Sequence, residues 1–190
     1  MRFRLTAYLM LMTGAAGSAF AQPRAIDTAK STMTVLVSKS GALSIMGHDH
    51  EITAPIARGA VDVAAHTVEL RLEAGSLRVA DPHVSDKDRA QIQQTMVGPE
   101  VLDTARYPAI VFRSTAVEPA AAGSWNVRGD LTLHGATHAV SGVVRENAGH
   151  YTGDVRFKQS EFGIKPVSAA GGTVRVKDEL QIRFDIQLAQ

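Results

Sequence analysis

Residues 179–188 read ELQIRFDIQL. Leu180, Ile182, Phe184, Ile186 and Leu188 take alternate positions, and Gln181, Arg183, Asp185 and Gln187 fill the gaps. Successive side chains of a strand point to opposite faces, so this stretch predicts a strand with one dry and one wet side. The same two-residue period recurs at 68–73 (VELRLE), 125–133 (WNVRGDLTL) and 151–158 (YTGDVRFK), and less cleanly through Met33, Val35 and Val37. The protein is therefore expected to be all-β.

Turn signals between these runs point to antiparallel pairing. Gly135-Ala136 reads as a two-residue turn with glycine supplying a positive φ. Asn147-Ala148-Gly149 reads as the next turn, and 118–124 (EPAAAGS) as a loop. Eight or so strands follow, near 31–39, 50–63, 67–74, 109–118, 124–134, 137–146, 150–159 and 178–188. The exception is 85–96 (SDKDRAQIQQTM), rich in helix formers, with Ser85 placed to cap it and Gly98-Pro99 to end it. Ile92, Met96 and Val97 form its narrow apolar stripe, suited to plugging one end of a barrel. Strands with one dry face close either as a barrel or as a two-sheet sandwich, and around eight strands a barrel is packed or holds one small ligand.

Composition narrows the function classes. The chain has 190 residues with 20 Lys+Arg against 19 Asp+Glu, so a basic nucleic-acid footprint is not expected. It has no cysteine, which excludes disulfide scaffolds, thiol catalysis and Cys-ligated metal sites. Length fits one domain.

The first 21 residues read as a cleaved signal peptide. Arg2 and Arg4 precede an apolar run over 5–12, and small residues lead to Ala19-Phe20-Ala21. The run is short for the roughly 20 apolar residues of a membrane span. Cleavage after Ala21 leaves 22–190 as an exported domain without a transmembrane span, held by its core alone.

Several motifs run in order through that domain. Ala25-Ile26-Asp27 and Ser31 precede the first strand. Asp103-Thr104-Ala105-Arg106-Tyr107-Pro108 leads into Ile110-Val111-Phe112-Arg113-Ser114-Thr115. Val127-Arg128-Gly129-Asp130-Leu131-Thr132-Leu133-His134-Gly135-Ala136-Thr137 follows, and then Phe162-Gly163-Ile164. Together these resemble the YceI family of exported lipid- or polyisoprenoid-binding domains. Val101-Leu102 stand where that family usually has two aromatics, and Gln159 where it usually has Arg. The resemblance implies a lipocalin-like antiparallel barrel with a hydrophobic tunnel for an isoprenoid chain.

The expected function is binding of an apolar lipid or polyisoprenoid-type ligand, with no cofactor and no enzymatic activity. No Gly-x-Ser-x-Gly elbow or Gly-x-x-x-x-Gly-Lys phosphate loop occurs. Phe112, Val127, Leu131, Val155, Phe157, Phe162 and Phe184 are the larger apolar residues on dry faces and the candidate ligand-binding positions. His48 and His50 are candidate head-group contacts, with Arg113 a weaker one because it alternates with the apolar face. An alternative is a metal site on His48-Asp49-His50, since two histidines two residues apart on a strand share a face; further ligands would be needed.

Overall fold

The computed structural model describes residues 22–40, 49–169 and 174–190. The expected signal peptide falls on residues 1–21, outside the described residues. Twelve strands and one α-helix are present among them. The strands are β1 (Arg24–Ala25), β2 (Thr32–Ser40), β3 (His50–Thr53), β4 (Arg58–Asp62), β5 (Thr67–Glu73), β6 (Arg78–Val79), β7 (Ala109–Pro119), β8 (Ser124–Leu133), β9 (Ala136–Asn147), β10 (His150–Lys158), β11 (Ser168–Ala169) and β12 (Val174–Gln187). Helix α1 is Asp86–Val97. Every pairing is antiparallel, in the order β1-β4-β5-β7-β8-β9-β10-β12-β2-β3-β6, with β11 on β12.

β3 and β4, each next to one end of that order, are joined by consecutive chain, and this curls the sheet into a barrel. β3 pairs with β2, whereas β4 pairs with β1 and β5. Residues 54–57 carry the chain from one pairing to the other. Ala54 N–H donates to the Met33 carbonyl and Ala57 N–H to that of Arg71, both at 2.9 Å. β1 spans the remaining seam. Ile26 bridges Leu188, and its N–H donates to the Gly59 carbonyl at 2.9 Å.

Twelve strands exceed the eight expected from sequence, and the physical reason is local. The expected single strand at 50–63 is two, because Pro55 has no N–H to donate and the ladder breaks there. The short β1, β6 and β11 carry too few residues to show a period. The turn after β8 also differs from expectation by one residue. Leu133 pairs with Ala136, so the turn residues are His134 and Gly135, with φ of 51° and 78°. Two successive positive φ values suit the twist of a tight hairpin. The next hairpin repeats the form at Ala148-Gly149, with φ of 51° and 84°.

α1 closes one end. Ser85 Oγ accepts from Asp88 N–H at 3.1 Å and donates to the Asp88 carboxylate at 2.7 Å, capping the first turn. Gln93 fastens the helix to the barrel: its Oε1 accepts from Val79 N–H and its Nε2 donates to the Leu77 carbonyl, both at 2.9 Å. Met96 is the helix's buried residue and joins the larger core cluster with Leu72, Leu77, Leu133 and Phe162. A smaller cluster, Ile26, Ile56, Leu70, Ile186 and Leu188, packs separately.

Candidate functional site

The inward side chains do not fill the barrel. They enclose a cavity of about 650 Å³, within the range of small-molecule sites. Each alternating run contributes to its wall. β12 supplies Val176, Leu180, Ile182, Phe184 and Ile186; β8 supplies Trp125, Val127, Leu131 and Leu133. Tyr151, Val155 and Phe157 come from β10, and Val68, Leu70 and Leu72 from β5. The interior is hollow in part because inward positions carry glycine. Gly153 lies directly opposite Phe184, and a Cβ there would sit 2.8 Å from the Phe184 ring. A Cβ at Gly129 would sit 2.5 Å from the Phe112 ring.

One end of the cavity is capped by Ile92, Thr95 and Met96 of α1. At the other, Asp62, Val63, His66 and Thr67 of the β4–β5 turn meet Val117, Trp125 and Val144. Val63 is 58% exposed there, so the apolar wall continues to the surface. The Trp125 and Tyr151 rings lie 6.4 Å apart beside it. Among the described residues, neither lysine nor arginine lines the cavity.

Near the helix end the wall carries polar groups, Asp88, Gln91 and Thr95 from α1 and His50 and Gln159 from the barrel. His50 faces the cavity from β3, and its Nδ1 lies 2.6 Å from Asp81 Oδ2. Asp81 is 2% exposed, and its other carboxylate oxygen accepts from Glu51 N–H at 2.6 Å. Gln159, 4% exposed, stands in the short 3-10 turn after β10 and donates from Nε2 to the Lys177 carbonyl at 2.8 Å.

The sequence model of the YceI-like domain matches residues 25–188. The chain belongs to that family. It is similar to a UPF0312 protein of Shewanella denitrificans, 28% identical over 152 residues that span 74% of this chain and 75% of that protein. A UPF0312 protein of Vibrio cholerae is 25% identical over 160 residues, covering 76% and 79% of the two chains. Among solved structures, Burkholderia cenocepacia BcnA matches with a TM-score of 0.61 and 23% identity, over 87% of this chain and 99% of that one. The Campylobacter jejuni YceI protein matches with a TM-score of 0.52 and 14% identity, over 73% and 81%. At such identities the two structures establish the shared fold.

Within this YceI-like barrel, the residues singled out from sequence separate into four groups. Phe112, Val127, Leu131, Val155, Phe157 and Phe184 line the cavity, and so does His50. Phe162 does not. It is 1% exposed and packed beneath the floor, edge-on to Phe157 and to His138, each at 5.2 Å between ring centroids. Its carbonyl oxygen also lies 3.1 Å from His134 Nδ1. Arg113 points to the outer face, 65% exposed, and pairs with Glu69 at 3.1 Å across β5 and β7. It is removed from any contact with a ligand inside. His48 lies outside the described residues.

The proposed His48-Asp49-His50 metal set has two described members, and both are engaged. Asp49 Oδ1 accepts from Lys39 N–H at 2.7 Å, and His50 Nδ1 is held by Asp81. Among the described residues no three His, Cys, Asp or Glu side chains converge as a metal site. Sequence reasoning missed Asp81 and noted Gln159 only as a departure from the family's usual Arg. Nothing local marks a polar residue that burial in the assembled barrel will enclose. It also passed over Trp125 and Tyr151 as lining residues, although both stand on the dry faces of strands it had identified.

Proposed function

We propose that this protein is an exported, non-enzymatic carrier that holds one apolar chain, of lipid or polyisoprenoid type, inside its barrel. The observation that carries the reading is the preformed apolar cavity of about 650 Å³, open beside Val63 and capped by α1. Burying a methylene contributes about 0.8 kcal/mol. Ten methylenes thus offer roughly 8 kcal/mol, against about 4–15 kcal/mol for lost freedom on association. A cavity that needs no reorganisation keeps that cost low, which favours a long chain over a short one.

Uptake of the apolar dye N-phenylnaphthylamine by the purified mature protein tests the reading, together with native mass spectrometry of protein purified from its own envelope. Saturable dye fluorescence, lost on adding a long-chain competitor, and a co-purifying lipid mass are the expected results. Absence of both dye uptake and a bound lipid overturns it.

A further inference from the structure

Resting on the carrier reading, we infer that α1 is a lid on the cavity, latched by Gln93, and that its opening sets how fast a bound chain exchanges. Asp88, Gln91, Ile92, Thr95 and Met96 are the residues that α1 turns to the cavity. Their spacing, i, i+3, i+4, i+7 and i+8, makes them one face of the helix. A helix that closes a core permanently carries apolar residues on that face. Here three of the five are polar, although the strands at that end bring Val37, Ile52, Leu72 and Leu133 to the same core. Asp88 and Gln91 are also exposed, so water reaches the helix at the edge of the cavity.

The hydrogen bonds that hold α1 run to the segments flanking it. Gln93 Oε1 accepts from Val79 N–H, and its Nε2 donates to the Leu77 carbonyl. β6 is the last strand of the order, and the Gln93 amide stands where the peptide of a further strand would pair. Arg89 Nη2 donates to the Asp81 and Val84 carbonyls at 3.1 and 3.0 Å. After the helix, Leu102 N–H donates to the Met96 carbonyl at 3.0 Å and Thr104 N–H to that of Val97 at 3.2 Å. Side-chain packing by Ile92, Met96 and Val97 is what presses the helix onto the other strands.

The seat is imperfect as well. Arg89 Nε is buried without a hydrogen-bond partner among the described residues. A buried donor left unmatched is costly, and opening returns it to water. The opposite mouth is built differently: Asp62 pairs with Thr67 across β4 and β5, and Trp125 with Pro119 and Val144 across β7, β8 and β9. Ladder pairing fixes that rim, whereas α1, with few buried apolar side chains, belongs to the part of the fold that opens first. An open α1 turns a pocket capped at one end into a passage through the barrel.

The chain has no cysteine, so a single engineered thiol reports the opening. Val79→Cys places it beside the Gln93 latch, and Ile56→Cys places it in the separate smaller cluster. N-ethylmaleimide is expected to label position 79 about tenfold faster than position 56. Gln93→Met keeps the side-chain length and removes both bonds, and should speed labelling at 79 about tenfold again while leaving 56 unchanged. Hydrogen exchange over residues 86–97 gives the same comparison in the cysteine-free chain, should Val79→Cys fold poorly. In stopped flow with N-phenylnaphthylamine, Gln93→Met should raise association and dissociation rates together, by about fivefold, with affinity within about twofold of wild type. Unchanged labelling and exchange at α1 in Gln93→Met overturn the lid. Faster opening with unaltered dye rates overturns it too, since the chain then passes only beside Val63, and leaves the carrier reading standing. A loss of affinity without faster association is damage to the wall and likewise overturns it. A wild-type protein that takes up no dye overturns the carrier reading and this inference with it.

Discussion

Gly153 of β10 lies directly opposite Phe184 of β12, and the phenyl ring covers the space that a side chain at 153 would occupy. The pair fixes how far an aromatic can lean against the wall instead of into the cavity. A closed sheet has room for large inward residues only where their neighbours are small. Here glycine supplies the room.

Gly153→Ala is the direct probe of that arrangement. The added Cβ would lie 2.6 Å from the Val143 carbonyl oxygen and 2.8 Å from the ring, so backbone and ring must both give. Overpacking of this kind costs about 1–3 kcal/mol. Denaturant unfolding should show that loss, and the displaced ring should weaken dye uptake.

Val127→Trp should separate binding from folding. Val127 is half-buried on β8 and faces empty space, so a larger ring enters the cavity without compressing a packed core. Dye uptake is expected to fall at least tenfold, with stability within about 1 kcal/mol of wild type. Unchanged uptake would show that the dye binds elsewhere.

Arg113→Ala should do almost nothing. The Arg113–Glu69 pair sits on the outer face with both side chains more than half exposed, and such pairs contribute about 0–1 kcal/mol. Neither dye uptake nor ligand preference should move. A marked loss of binding would mean that the ligand occupies the outer surface.

Ser85→Ala tests the closure of the helix end. Loss of the Oγ acceptor leaves the Asp88 N–H unpaired at the start of α1 and is expected to cost about 1 kcal/mol. Hydrogen exchange should show greater opening of α1 than of the strands, since Gln93 and Met96 remain its main attachments.

Much of the fold is legible in the two-residue period. Leu180, Ile182, Phe184 and Ile186 face inward as their spacing requires, and so do Val68, Leu70 and Leu72. Capping by Ser85 was readable because a cap is local: donor and acceptor are three residues apart. Pro55 was a readable break inside 50–63, but the period on either side of it masked the interruption. Phe162 shows the limit of pattern reading. It stands in an apolar motif, yet the 3-10 turn at Gln159–Phe162 takes it off the strand period and sends it under the floor.

The sequence by itself determined an antiparallel all-β domain, its wet and dry faces and helix α1, because each of these depends on neighbours a few residues apart. Only the tertiary structure decided that β3 and β4 pair on opposite sides of the bend at 54–57, closing the barrel around a hollow. It alone brought Asp81 to His50, 31 residues away, and enclosed Gln159. Burial and long-range register are properties of the assembled sheet, and a polar residue carries no local mark of whether the closed barrel will leave it in water or seal it beside a cavity.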